Sequence, residues 1–574
     1  MKRKYNEVLD YEKKNQRKKR RSIFQLAILA VIVFLVFQTF VEMNRYDAPD
    51  QTEWSNKKGF IALSYPGVSR DGSDSLFAKK QLQKQLQALT DQGYETISQQ
   101  DILDYYNKKK PLPEKALFLS FEDGRTDTSV FVHPLLKKYN YKATLLSFAN
   151  KLETNDKRFL QPEHLSQMKK SGFWELGSNG NRLTYINIFN KEGTFLPIRD
   201  DDEVLNKSEI DSYNHFSMDF IRDQYSIPIE NRTEMEKRIT EDYEQMRKVY
   251  EKQLGATPDV YMIMHANALY NTANRLVSDI NDKEIRKTFA MHFNLEGNTY
   301  NTNGNDLYNL TRVQPAASWS TNHLLMKIQN DTKGKVEFVR GNEKQAKQWK
   351  AAEGVAEFDG NTIILTSKAK KQSHLVLNES GNTDIQFTGK VGGTEEGQQA
   401  VFLRRSNDGD AYIKVAFEND QLIIEEKVKG QLKELLETKA IPDAHIAEQN
   451  DSQSSGRKEK KTDEEKLANE KYVEITLKDN KLAIQLNDKE IVNNLAVNQD
   501  IQSGKLALGS SWVTGDFNDP IHDAYFSDIA ITSLDKNHAN QTALFTNERG
   551  NYQKLIYTCI SSIKSAMNWV VDNF

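Results

Sequence analysis

LFLSFEDG, residues Leu117–Gly124, is an apolar strand that runs straight into two carboxylates and a glycine. A buried strand that presents Glu122 and Asp123 at its C-terminal end is how α/β folds place a metal ligand or a general base over a cleft. The competing reading is an acidic turn in which Gly124 supplies a positive φ and both carboxylates are solvated. The flanks decide for the strand end. Phe60–Ser64 reads as a strand, Leu76–Gln92 has helical periodicity, Gly93 stops that helix, and Tyr94–Ile97 is a short strand. Ser98 caps a helix that Pro111–Pro113 ends; after LFLSFEDG come a helix through Val130–Tyr139 and a strand at Ala143–Phe148. Strand and helix in steady alternation imply βαβ units and a parallel sheet, an α/β fold.

The 574 residues are enough for two or three domains, each with its own core. A net charge of −3, with no basic stripe beyond residue 22, excludes nucleic acid as a partner. One cysteine, Cys559, excludes an intrachain disulfide and any cysteine-based metal cluster. Residues 1–22 form a basic tail ending in RKKRR, and Ile23–Val41 reads IFQLAILAVIVFLVFQTFV. That run is roughly 19 residues long, about 28 Å of helix, and is expected to span a membrane. The basic flank places the tail in the cytoplasm and everything after Glu42 outside, giving a single-pass plasma-membrane protein with an extracellular bulk. No small-x-small site follows in TFVEMNRYD, so an uncleaved anchor is expected rather than a signal peptide. Residues 42–57 then form a polar stalk.

LFLSFEDGRTDT followed by HPLLKKYNYKATLLSF resembles the polysaccharide deacetylase family (the NodB homology domain, carbohydrate esterase family 4), whose strand reads TFDDG and whose next strand begins ATFF. IALSYPGVS, GYETIS, QQDILDYY and PLPEKALFLSF are similar to the N-terminal approach of biofilm-exopolysaccharide deacetylases. HLSQMKKSGFWELGSNGN falls where the family has a helix followed by GxEIGSHT. The resemblance covers residues 58–325 and implies a distorted (β/α) barrel, commonly of seven strands, with its site at the C-terminal mouth.

It also implies roles. Glu122 takes the place of the general base and Asp123 that of a metal ligand, with two histidines completing a zinc-like site whose metal acidifies a water and polarises the acetamide. Glu in place of Asp lengthens the arm by one methylene, about 1 Å. At the two histidine positions, however, stand Asn179 and Leu183; an amide oxygen is a weak zinc ligand and leucine is none. The family's early YH is Tyr65–Pro66 here. A divalent metal must then be held by other residues, or be absent.

Two histidines are candidates for that replacement. TyrAsnHisPheSerMetAspPheIleArg places His215, Asp219 and Arg222 at i, i+4 and i+7 of one expected helical face. His265 lies in VYMIMHAN, where an apolar strand meets a small-residue loop. The alternatives are a hydrogen-bonded couple for the first and a buried, backbone-satisfied imidazole for the second. His133 and His164 read as structural or solvated. Arg125, Trp174, Asn179 and Arg312 are candidate substrate contacts; Arg312 in DLYNLTRV matches the family's late strand, where an arginine orients a site carboxylate, and Arg125 alternatively neutralises the acidic pair. SWSTNHLLMKI reads as a closing helix capped near Ser320 or Thr321.

From Lys335 the texture changes to short alternating runs, NTIILT, HLVLN, DIQFTG, YIKVAF, QLIIEE, YVEITL and KLAIQL, separated by Asn, Asp and Gly turns. This predicts an all-β antiparallel sandwich over residues 335–535. The order of its strands and GKLALGSSW resemble laminin-G or concanavalin-like jelly rolls, many of which bind glycans. Trp512, Phe517 and Tyr525 are candidates for a sugar-stacking platform, with core packing as the alternative. Residues 447–469 are almost free of apolar side chains and read as a disordered insert. Residues 541–574 read as an amphipathic helix whose default is to dock on its own protein, with a partner or the membrane surface as the alternatives.

Two function classes follow. One is a membrane-anchored extracytoplasmic enzyme that deacetylates an N-acetylated exopolysaccharide. The other is a catalytically silent relative that binds polysaccharide or a synthesis and export complex. Losing both motif histidines favours the second, while the retained acidic pair and the spare histidines favour the first. A glycoside hydrolase using Glu122 and Glu175 is a third reading.

Overall fold

The computed structural model describes residues 11–40, 45–73, 76–200, 210–263, 266–379, 381–394, 396–418, 421–438, 470–515, 518–534 and 542–548. Seven strands of one sheet run parallel in chain order: β1 (Gly59–Tyr65), β2 (Ala116–Phe121), β3 (Ala143–Phe148), β4 (Trp174–Gly180), β5 (Val260–Met262), β6 (Met291–Glu296) and β7 (Leu310–Arg312). Beyond β7 the chain returns to β1. Leu63 and Val313 form a parallel bridge, in which Ser64 N–H donates to Val313 O at 2.9 Å and Val313 N–H donates to Ala62 O at 3.1 Å. The sheet is therefore a nearly closed barrel. Glu95–Thr96 adds to β2 in parallel, and Tyr300–Thr302 adds to β1 antiparallel.

These strands are apolar on both faces because both faces are buried. Phe60, Ala62, Phe118, Leu146, Met262 and Phe293 meet in one cluster inside the barrel, while their chain neighbours Ile61, Leu63, Leu117, Leu119 and Leu145 join the outer core. The expected cap at Ser98 is present as a reciprocal pair: its side chain accepts the Asp101 N–H, and the Asp101 side chain accepts the Ser98 N–H. Long helices at Lys79–Asp91, Thr126–Tyr139, Arg232–Leu254 and Arg275–Thr288 occupy intervals between the barrel strands, and Thr321–Thr332 follows β7.

Three expectations change. The stretch holding His215 is not helical: Ile210–His215 is a strand antiparallel to Thr184–Asn190, part of a four-stranded sheet inserted after β4. Thr542–Thr546, expected to open a C-terminal helix, is instead a strand paired with Asp523–Ser533, and residues 549–574 lie outside the described residues, as does the insert 447–469. A continuous helix, Tyr11–Phe40, covers the basic tail and most of the apolar run. Among the described residues no helix is long and apolar enough to cross a membrane; the described side chains of this one end at Val31, so the expected anchor runs beyond them.

The second half of the chain builds two antiparallel sheets, one of seven strands and one of eight. Trp349, Phe387, Val415, Ile475, Leu508 and Phe526 meet in their shared core. These sheets are joined to the barrel by a seam of buried polar contacts. His323 Nδ1 lies 3.2 Å from Asp523 Oδ2, and its Nε2 lies 3.0 Å from Asp519 Oδ2. The Ser320 N–H donates to Asp523 Oδ2 at 2.9 Å, and Lys327 Nζ donates to Asn518 O at 2.8 Å. Gly297, at φ +104, is what lets the 518–519 segment sit this close: a Cβ there would stand 2.7 Å from that of Asn518.

Candidate functional site

Glu122 and Asp123 emerge at the C-terminal mouth of the barrel, as LFLSFEDG predicts. Asp123 takes a left-handed φ of 68°, Gly124 one of 62°, and this turns the chain sharply off β2. A Cβ on Gly124 would lie 2.9 Å from Ser147 Cβ, so the turn packs directly on the end of β3.

Glu122 is 2 % exposed. Its Oε1 accepts the Ser64 hydroxyl at 2.6 Å and faces Arg312 Nε at 3.3 Å. Arg312, itself buried, also lies 3.7 Å from Glu296 Oε2 and donates from Nη2 to Ile263 O at 3.5 Å, while its Nη1 has no hydrogen-bond partner among the described residues. Arg312 thus contacts Glu122, the carboxylate at the strand end. A general base needs a lone pair aimed at the reacting proton. In Glu122 one oxygen, Oε1, is held by a hydroxyl and a guanidinium.

Asn179, at the position of the family's first metal histidine, does structural work. Its Oδ1 accepts the Asp123 backbone N–H at 3.1 Å and its Nδ2 donates to Met262 O at 3.3 Å, tying together the ends of β2, β4 and β5. Leu183 is half-buried in the following loop and offers no donor atom. His215 is engaged as well: Nε2 is 2.9 Å from Arg182 O, and Nδ1 accepts the Ser217 N–H at 3.2 Å. Those partners define a neutral imidazole that donates from Nε2, and burial pushes its pKa down to about 4. Asp219 is not one helical turn above it; it pairs with Arg222 at 2.9 Å. His265 lies outside the described residues. Among the described residues no three His, Cys, Asp or Glu side chains come together in a way that could hold a metal ion. The donor set present here, one aspartate beside an engaged amide and a leucine, does not fit the site that the resemblance implies.

The other candidates divide. Arg125 is turned to Asp127, with Nε to Oδ1 at 3.1 Å and Nη2 to Oδ2 at 2.9 Å, so it pairs with a neighbouring carboxylate rather than reaching into the mouth. Trp174 is fully buried outside the barrel, where its Nε1 donates to His133 Nδ1 at 3.1 Å and its ring meets Phe121 edge-on; it is core, not a substrate contact. Glu175 accepts the Gln99 N–H at 2.9 Å. It sits four residues before Asn179 on β4, roughly 13 Å down the strand, toward the opposite end of the barrel from Glu122. That placement gives no support to a glycosidase pair. Tyr525 donates its hydroxyl to Ser318 O at 2.9 Å across the seam, so it ties the two regions together instead of offering a ring to a sugar. Trp512 is half-buried at the end of its strand, and Phe517 lies outside the described residues.

Sequence reasoning missed Ser64 and Glu296. Ser64 was within reach: it follows Phe60 and Ala62 on the inward parity of β1 and pairs in register with Ser120 on β2, two residues before Glu122.

Residues 109–279 match the family model described as polysaccharide deacetylase. A poly-β-1,6-N-acetyl-D-glucosamine N-deacetylase of Escherichia coli (strain K12) is 27 % identical over 156 residues, which is 24 % of this chain and 23 % of that protein. The chain therefore aligns with less than a quarter of that relative's length. Among solved structures, a de-N-acetylase from Aggregatibacter actinomycetemcomitans shares 22 % identity at a TM-score of 0.35, covering 46 % of this chain and 96 % of that one. The carbohydrate-binding module CBM66 from Bacillus subtilis shares 13 % identity at a TM-score of 0.23, covering 32 % of this chain and 94 % of that one. Residues 109–279 are thus a polysaccharide deacetylase domain, the family that LFLSFEDG resembles.

Proposed function

We propose that this protein binds an N-acetylated exopolysaccharide at the mouth of the barrel without hydrolysing it, and that the helix Tyr11–Phe40 anchors it to the plasma membrane with its bulk outside. The observation that carries the reading is Asn179: the residue in the first metal-ligand position uses Oδ1 to hold the Asp123 N–H at 3.1 Å and so serves the shape of the mouth. The buried Glu122–Arg312 pair adds to the shape of the mouth, since a carboxylate fixed on a guanidinium is held in one orientation. The polymer class comes from the Escherichia coli relative, whose name specifies poly-β-1,6-N-acetyl-D-glucosamine. Ile23, Phe24, Leu26, Leu29 and Val31 are each more than half exposed on their helix, directly after a basic run, which suits lipid contact better than water. We read the two C-terminal sheets as a lectin-like sandwich that guides the polymer.

A second reading, acetamide hydrolysis, is favoured by one observation: the Glu122–Asp123 pair is retained at a strand end. The full chain incubated with a β-1,6-linked N-acetylglucosamine pentamer, with and without added zinc, separates the two. Expected are calorimetric binding and no acetate above the blank. Acetate released above the blank overturns the non-hydrolytic reading in favour of the enzyme, and absence of binding overturns both.

A further inference from the structure

We propose that the cavity of about 410 Å³ between the inserted sheet and the loop after β5 is an additional subsite for a neutral N-acetylated sugar unit; the inference rests on the reading that the chain binds polysaccharide. Its walls leave the barrel at two adjacent strand ends. Asn214, Met218 and Arg222 belong to the segment that follows β4, and Thr272, Ala273 and Asn274 to the segment that follows β5. Both segments rise from the mouth that holds Glu122 and Asp123. The volume falls within the roughly 300–1,000 Å³ of small-molecule sites.

Charge selects the ligand class. Arg222 is neutralised on the spot: Nε donates to Asp219 Oδ2 at 2.9 Å, Nη2 to Asp219 Oδ1 at 3.0 Å and Nη1 to Ser226 O at 3.0 Å. Asn187 and Asn214 each donate to Asp219 Oδ2 at 3.1 Å, so the wall is rigid before any ligand arrives. The lining combines the amide and hydroxyl groups of Asn214 and Thr272 with the apolar surfaces of Met218 and Ala273, a mixture that suits the hydroxyls and C–H faces of a pyranose. Three partly exposed tyrosines are near neighbours of the wall residues in sequence, although none lines the cavity itself. Tyr213 adjoins Asn214 and is 45 % exposed, Tyr270 lies between Ala268 and Thr272 at 47 %, and Tyr225 follows Arg222 at 74 %. Such rings stack on sugar faces as they do on other flat apolar surfaces. A pocket without net charge, whose one carboxylate, Asp219, is already taken by Arg222, Asn187 and Asn214, offers no open partner for the ammonium of a deacetylated unit.

The test uses the full chain and isothermal calorimetry with β-1,6-linked N-acetylglucosamine trimer and hexamer and with the glucosamine hexamer. Wild type is expected to bind the acetylated hexamer more tightly than the trimer, and more tightly than the glucosamine hexamer. Ala273→Trp, which fills the cavity, and Tyr225→Ala, which removes an exposed ring, should each weaken the acetylated hexamer by about threefold to tenfold and erase its advantage over the trimer. Unchanged hexamer affinity in Tyr225→Ala, or in an Ala273→Trp variant with a wild-type unfolding midpoint, overturns the subsite. Equal or tighter binding of the glucosamine hexamer overturns its ligand class. If wild type binds neither acetylated oligomer, the polysaccharide reading falls and the subsite falls with it.

Discussion

Two buried histidines, one over the barrel mouth and one in the seam, have opposite chemistry. His215 meets a backbone carbonyl and a backbone N–H, with Arg182 and Arg238 nearby, and burial drives it down to about 4. His323 is equally buried, and burial alone would lower it too, but Asp519 and Asp523 outweigh that penalty and hold it up at about 10. Near neutral pH the first is an uncharged prop and the second is an ion locked between two carboxylates. Burial sets how strongly a histidine feels its partners, and the partners set the sign.

The largest break of this comparison is His323→Gln. It leaves Asp519 and Asp523 facing each other without a cation and should cost about 3–5 kcal/mol in denaturant unfolding, the range for breaking a buried ion pair. The pH dependence has a definite sign. Because the folded pKa is raised above the ordinary 6.5, the stabilisation from His323 is complete below about pH 6.5 and is lost as pH rises through about 10. Wild type should therefore lose melting temperature over that interval, and His323→Gln should lose much less. A variant with the same alkaline slope as wild type would show that the seam does not depend on a charged imidazole.

His215→Leu should cost less, about 1–3 kcal/mol, because it strands one carbonyl and one N–H rather than two charges. Its pH signature lies on the acid side. The lowered folded pKa means that stability is present above pH 6.5 and drains as pH falls through about 4, so the variant should flatten the acid limb measured by thermal melts. An unaltered acid limb would remove His215 from the account. The smallest effect belongs to Lys84→Ala, which cuts an exposed ion pair to Asp359 elsewhere along the seam; it should change unfolding by less than about 1 kcal/mol and weaken further with salt. A loss as large as that of His323→Gln would mean that the seam is held at its rim rather than at its buried centre.

What could be read from the chain follows the range of the contacts involved. LFLSFEDG announces a strand, its end and the acidic pair through neighbouring residues, and the order of the flanking strands gives the barrel. Arg312 was legible because its strand carries a family pattern. Trp174 was misplaced although its parity was visible: it lies five residues before Asn179 on one strand, so the two side chains face opposite sides of the sheet, one into the outer core and one toward the mouth. His215 misled because YNHFSMDFIR has helical spacing, while its strand is fixed by pairing with Thr184–Asn190, a contact that local spacing does not contain. Tyr525 and His323 were beyond reach, since the partners that define them lie about 200 positions away.

The position of Gly297 and His323 in the chain also orders events in time. Asp519 follows His323 by 196 residues. At about 5–20 residues per second the ribosome needs roughly 10–40 s to supply it. Over that interval the rim of the seam can already form, through Lys84 with Asp359 and Ser320 with Thr366, while His323 and the smooth patch at Gly297 wait for the 518–523 segment. The buried centre of the seam closes only after Asp519 and Asp523 are made, and the edge strand Thr542–Thr546 is added later still.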